Sequence, residues 1–175
     1  GYQGTGYYSV SARYGVPKDF MYFVDLLHQN GFGVIMDWVP GHICRDDFGL
    51  YMFDGSALYD YSDPKIRDNE VWGTANLDLG KGLTQSFLYS NAMFWLKYFH
   101  VDGFRVDAVA HLSRDMSFVD SDMEHFEKYK PDWKFFSNRP ELHDYLKEFN
   151  EKVFSKYDCM TVGEAGGGAT PRQAL

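Results

Sequence analysis

The sequence predicts an α/β chain whose strands run parallel. Three observations carry this. Short, almost continuously apolar segments alternate with longer amphipathic ones, the pattern of βαβ units. Each apolar segment follows an amphipathic one after only a few residues. Each also ends in charge: Asp37, then Arg105 and Asp107, then Glu164. In such folds ligand chemistry gathers at the carboxyl ends of the strands.

The elements follow in order. Phe20, Phe23, Val24 and Leu27 share one face of a helix over about Lys18–Gln29, with Pro17 near its start and Asn30-Gly31 at its end. "GVIMDWV", Gly33–Val39, is the first strand. Phe87, Leu88, Ala92, Trp95, Leu96 and Phe99 recur every three or four residues and mark a second helix over about Thr84–Phe99. "GFRVDAV" is the second strand. Leu142, Tyr145, Leu146, Phe149 and Val153 mark a third helix over about Pro140–Lys156, and "CMTVGE", Cys159–Glu164, is the third strand. The whole chain, 1–175, reads as one domain. Long loops are expected at 43–82 and 112–138, and loops of that length usually carry function. The first, rich in Asp, Gly and Tyr, is expected to cover one side of a site.

Composition narrows the class. The chain is 45% hydrophobic and 18% aromatic, enough for a packed core. A net charge of −8 speaks against a nucleic-acid surface. No apolar run is long enough for a transmembrane helix, so no membrane partner is expected. Cys44 and Cys159 are far apart and show no metal-ligand spacing, which suggests a reduced, cytoplasmic setting without a metal. The given residues open on "GYQGTGYY", with neither an initiator Met nor a signal peptide among them, which leaves a targeting segment ahead of them open. "AGGGAT" lacks the Gly-Lys-Ser/Thr ending of a phosphate loop, and no cofactor is implied.

The chemistry centres on "GFRVDAVAH". Residues two apart on a strand share a face, so Arg105 and Asp107 point the same way. The guanidinium would keep the carboxylate ionised and oriented, as a nucleophile requires. Glu164 ends the neighbouring strand. Two carboxylates about 5–5.5 Å apart suit retaining glycoside hydrolysis. Glu164 has no cation beside it in sequence, so its pKa is expected to lie above that of Asp107. In "DWVPGH", His42 can donate to a sugar hydroxyl and Asp37 can pair with Arg105.

"DWVPGH", "GFRVDAVAH" and "TVGE" resemble, in order, three signature regions of the α-amylase superfamily of retaining glycosidases and transglycosidases. The resemblance implies a fragment of a (β/α)8 TIM barrel, about strands 3–5 with the intervening helices. It implies Asp107 as nucleophile, Glu164 as acid/base and Arg105 as the cation that orients the nucleophile. It also implies that Tyr2 stacks on the sugar, that His42 binds it and that Asp37 supports the site. Up to about Ala110, "GYQGTGYYSVSARYG", "GVIMDWVPGHICRDDFGLYMFDG" and "WGTANLDLG" are similar to bacterial 1,4-α-glucan (glycogen) branching enzymes. Beyond it, "WKFFSNRPELHDYLKEFNEKVFSKYDCMTVGE" is similar to oligo-1,6-glucosidases and other α-glucosidases, as in a chimera.

Some positions depart from the family. Gly41 stands where calcium-binding members carry Asn, and His111-Leu112-Ser113 replaces the Ser-Met-Leu-Tyr-like run of branching enzymes. Ala108 is similar to α-1,4-acting members. The late His-Asp region of the family is not among these residues. The expected substrate is an α-glucan or a malto- or isomalto-oligosaccharide. The isolated chain is expected to be weakly active or inactive, and to need further barrel segments or self-association. The other expectation is a non-catalytic glucan-binding or scaffold fragment.

Overall fold

A computed structural model describes residues 2–116, 137–166 and 169–174. Helix α1, Pro17–Gln29, leads to strand β1, Ile35–Trp38. Strand β2, His42–Cys44, helix α2, Pro64–Arg67, and strands β3, Asp68–Asn69, and β4, Thr74–Asn76, come next. Helix α3, Gly82–Tyr98, then precedes strand β5, Gly103–Val106. Helix α4, Glu141–Lys152, precedes strand β6, Met160–Gly163, and helix α5, Pro171–Ala174, ends the described chain. Two 3-10 turns, Val109–His111 and Phe154–Lys156, follow β5 and α4. No helix of the described residues is long and apolar enough to cross a membrane.

The predicted strands form one parallel sheet in the order β1-β5-β6. Each is shorter than its apolar run, although ladder bonds continue past its ends, as from the Asp102 N–H to the Val34 carbonyl at 2.7 Å. The third helix also ends early: α4 stops at Lys152 and the chain tightens into the 3-10 turn. The expected loop 43–82 holds more structure than its composition suggested. It folds into a small antiparallel sheet, β2-β4-β3. Strands of two or three residues are too short to show a hydrophobic period. Residues 117–136 of the other expected loop lie outside the described residues.

Local chemistry explains the boundaries. At the start of α1 the Asp19 carboxylate accepts from the Val16 N–H at 2.8 Å, satisfying a donor that the helix cannot. Gly31, at φ 77°, closes the helix. The N–H groups of Gly31 and Phe32 donate back to the His28 and Leu27 carbonyls at 2.9 Å. Asp102 ties the strand starts together: its carboxylate accepts from the Val34 N–H at 2.6 Å and meets His28 Nε2 at 2.8 Å.

One face of the parallel sheet carries the core. Trp38, Phe104 and Val106 are buried against Leu88, Trp95 and Leu96 of α3 and Phe149 of α4. Burying a side chain of this size contributes about 1.5–3 kcal/mol. The register sets Ile35, Gly103 and Met160 in one row of the opposite face, with Asp37, Arg105 and Val162 in the next. Ile35, Met160 and Val162 are exposed there. Gly103 is required by its surroundings: at φ 154° a Cβ would lie 1.8 Å from the Met160 carbonyl oxygen. An apolar cleft of about 550 Å³ lies away from the charged strand ends, between residues 9–16 and α1, with Phe20, Phe23 and Trp95 in its wall.

Candidate active site

The sheet builds the site by simple alternation. Asp37 of β1 and Arg105 of β5 are register partners. Asp107 lies two residues beyond Arg105, and Glu164 two beyond Val162 of β6. The ladder continues that far, with the Asp107 N–H donating to the Trp38 carbonyl at 2.8 Å and the Glu164 N–H to that of Val106 at 3.0 Å. All four side chains therefore rise from one face.

Arg105 is their common partner. Its Nη1 lies 2.8 Å from Asp37 Oδ1 and 2.7 Å from Asp107 Oδ1, and its Nη2 lies 2.9 Å from Glu164 Oε2. The Tyr2 ring stands 5.3 Å from the guanidinium carbon, within cation–π range. Ala108 closes the other side. It adopts a left-handed conformation at φ 45°, ψ 42°, and its N–H donates to Glu164 Oε2 at 3.1 Å.

This sharing corrects one expectation. Arg105 was expected to favour Asp107 over Glu164, yet it touches both. Burial pushes the Asp107 carboxyl above the ordinary range, outweighing Arg105, and the charges of Glu164 and Asp37 push the same way. The guanidinium is held well above its ordinary value, first by its bond to Asp37. Sequence adjacency could not reveal that the cation is divided among three strands.

His42 enters from the second sheet. It opens β2, opposite Asn76 of β4. Its ring is buried, with Nε2 3.7 Å from Asp107 Oδ2. That is beyond hydrogen-bond distance. Burial, helped by the Arg114 charge, lowers its pKa to about 4. The imidazole is therefore neutral near neutral pH.

Unfolded, the same histidine titrates near about 6.5. Between those values the unfolded chain binds the extra proton, so the His42 contribution to stability is lost as pH falls from about 6.5 toward 4. Thermal melts over this range are expected to fall more steeply for the parent than for His42→Gln. Parallel curves would contradict this.

The structure thus brings together every predicted site residue: Tyr2, Asp37, His42, Arg105, Asp107 and Glu164. It adds neighbours that no sequence pattern marked. Arg114 is 8% exposed and donates to Asn76 Oδ1 at 2.9 Å. The Trp72 ring lies 5.2 Å from that of His42 and 5.6 Å from that of His111, and its carbonyl accepts from Gln3 Nε2 at 2.6 Å. These residues come from separate loops, and only the fold unites them. Among the described residues no group of three or more His, Cys, Asp or Glu could hold a metal ion.

Residues 69–174 match the family described as "Alpha amylase, catalytic domain". The chain belongs to the α-amylase family. The α-amylase-type relatives it resembles include the 1,4-alpha-glucan branching enzymes of Bacillus caldolyticus and Geobacillus stearothermophilus. It is 56% identical to the first and 52% to the second, over 90% of its length in both cases. It covers 21% and 22% of those relatives, and so spans about a fifth of their length. Each alignment runs over 158 residues, so the likeness to branching enzymes extends past Ala110.

Among solved structures, it superposes on a trehalose-6-phosphate hydrolase of Bacillus licheniformis with a TM-score of 0.78 and 26% identity. That match covers 97% of this chain and 35% of the hydrolase. A trehalulose synthase gives a TM-score of 0.75 at 24% identity, over 97% of this chain and 36% of the other, a likeness of fold.

Proposed function

We propose that this chain carries the nucleophile and the acid/base of a retaining α-glucan-active enzyme of branching-enzyme type. In this reading β1, β5 and β6 are the third to fifth strands of a (β/α)8 barrel. The observation that supports it most is one guanidinium joining carboxylates from three consecutive parallel strands at their carboxyl ends. Strand ends are where barrel enzymes keep their chemistry.

Each residue then has a task. Arg105 engages Asp107 through Oδ1, leaving Oδ2 to attack the anomeric carbon as the glycosidic bond breaks. Glu164 gives its proton to the departing sugar oxygen. Both donors to Glu164 converge on Oε2, so the acid's proton belongs on Oε1. In the second step Glu164 takes a proton from the incoming hydroxyl, whose oxygen displaces Asp107 and restores the anomeric configuration. Water as acceptor gives hydrolysis, and a glucan 6-hydroxyl gives a branch. Neutral His42 can donate to a sugar hydroxyl, and Tyr2 offers a ring face.

The test joins this chain to the remaining segments of the Bacillus caldolyticus branching enzyme. Branching activity in that protein, with a covalent sugar trapped on the peptide holding Asp107, is the expected result. Glucan binding without turnover, unchanged after loss of both Asp107 and Glu164, would instead favour a non-catalytic binding fragment.

The exposed sheet face that carries Ile35, Met160 and Val162, with β1 and β6 at the sheet edges among the described residues, also supports an expectation for the 175 residues alone. They are expected to self-associate in size-exclusion chromatography with light scattering, and to bind a hydrophobic dye. A monodisperse monomer would contradict this.

A further inference from the structure

We propose that the Tyr7 hydroxyl positions His42, and that through Tyr7 helix α3 sets the distance between the His42 ring and Asp107. The proposal rests on the reading of His42 as a sugar-binding residue, but its structural part can be tested separately.

The bend from β1 to β2 explains the need. Val39, Pro40 and Gly41 carry the chain from the sheet that holds Asp37 to the strand that holds His42. Along an antiparallel pair, successive residues alternate between bonding to the partner strand and pointing away from it. The Gly41 carbonyl accepts from the Leu77 N–H at 3.0 Å, so Gly41 faces the partner segment. The His42 carbonyl therefore points away from β4. It lies in the interior, where an acceptor without a donor is costly.

Tyr7 supplies that donor. Its Oη lies 2.7 Å from the His42 carbonyl oxygen and 3.0 Å from that of Val39. One hydroxyl proton is shared between the two ends of the bend, with the shorter contact at His42. Burial raises the phenol pKa well above its ordinary value, so the proton stays in place.

Tyr7 is itself held from the other side. Its carbonyl accepts from Asn91 Nδ2 at 2.5 Å and Trp95 Nε1 at 2.9 Å, both on α3. Asn91 Oδ1 in turn accepts from Trp38 Nε1 at 2.8 Å, and Trp38 is the neighbour of Asp37. The loop of contacts is closed: β1 to α3, α3 to Tyr7, and Tyr7 to both Val39 and His42. This accounts for an asparagine in the buried face of a core helix. Asn91 is 1% exposed among apolar neighbours, and it bonds with both ends of its amide.

His42 has little else to fix it. Its Nδ1 has no hydrogen-bond partner among the described residues, and its Nε2 is beyond bonding range of Asp107. Its placement depends on backbone position and on contact with the Trp72 ring. A small shift of the His42 carbonyl therefore moves the imidazole relative to the carboxylate.

Tyr8 provides an internal control. Its hydroxyl also donates to a backbone carbonyl, that of Phe87 at 3.0 Å, but away from the carboxylates. The experiment places Tyr7→Phe, Tyr8→Phe, His42→Ala and the double variant Tyr7→Phe/His42→Ala in the completed barrel. Tyr7→Phe is expected to lower kcat on an α-glucan by about ten- to a hundredfold. Tyr8→Phe is expected to leave it unchanged, with a smaller loss of melting temperature because its bond is exposed. In the His42→Ala background Tyr7→Phe is expected to cost less than twofold, because the residue it acts through is gone.

Crystal structures of the parent and of Tyr7→Phe supply the second readout, in which the His42 Nε2 to Asp107 Oδ2 separation is expected to change. If the completed parent does not act on glucans, the proposed function fails, and this separation alone decides the role of Tyr7. Several outcomes would overturn the proposal: an unchanged separation, additive losses in the double variant, an equal loss of kcat in Tyr8→Phe, or unfolding of Tyr7→Phe alone.

Discussion

Replacing Asp107 by Asn in the completed barrel is expected to lower turnover by about 10⁴-fold or more, with little change in glucan affinity or melting temperature. The amide keeps the shape of the carboxylate and can still meet Arg105 through its oxygen. It loses the charge that attacks carbon. Burial already pushes the Asp107 carboxyl upward, so removing its charge relieves a desolvation cost and should not unfold the chain. A loss of activity that tracked a loss of fold would place Asp107 among structural ion pairs. Turnover within tenfold of the parent would remove it from the mechanism. Initial rates, a binding isotherm and a melt on the same preparation separate these outcomes.

The second large effect is expected far from the carboxylates. Gly103→Ala should cost more than about 4 kcal/mol of stability, or abolish folding. A methyl group at this position would lie 1.8 Å from the Met160 carbonyl oxygen, which is backbone and cannot rotate away. Relief requires β6 to separate from β5, and Glu164 would move with it. Gly4→Ala is the matched control: nothing lies within 4 Å of its new Cβ, and a change below about 0.5 kcal/mol is expected. Urea titration of the two variants in the completed barrel measures the difference. A parental midpoint for Gly103→Ala would contradict the strand register described above.

The sheet was legible in the sequence because its signals are local and periodic. Apolar runs named three strands, and their charged ends named Asp37, Arg105, Asp107 and Glu164. The helices followed from spacing, down to Val24, Leu88 and Phe149. What escaped depends on distance in sequence. Arg105 was paired with Asp107 by alternation along one strand, but its bond to Glu164 crosses to another. The β2-β4-β3 sheet is made of segments too short to carry a period. Tyr7 resembles any loop tyrosine until its hydroxyl is seen between two carbonyls. The upward push on the Asp107 carboxyl was missed because burial, which outweighs the neighbouring cation, is a property of the packed chain.

The arrangement around Arg105 also fixes the local balance of charge. One guanidinium serves three carboxylates, and the nearby imidazole contributes nothing near neutral pH. Within this group, even with Glu164 protonated, the sum is one negative charge, which the buried Arg114 beside His42 offsets only from a distance. Such a surface stabilises any bound group that becomes positive, as a sugar carbon does while its bond to oxygen breaks. It opposes groups that arrive already negative. The same imbalance makes the folded chain harder to hold together at this spot, so the strand ends store repulsion that only a bound group or a proton can relieve.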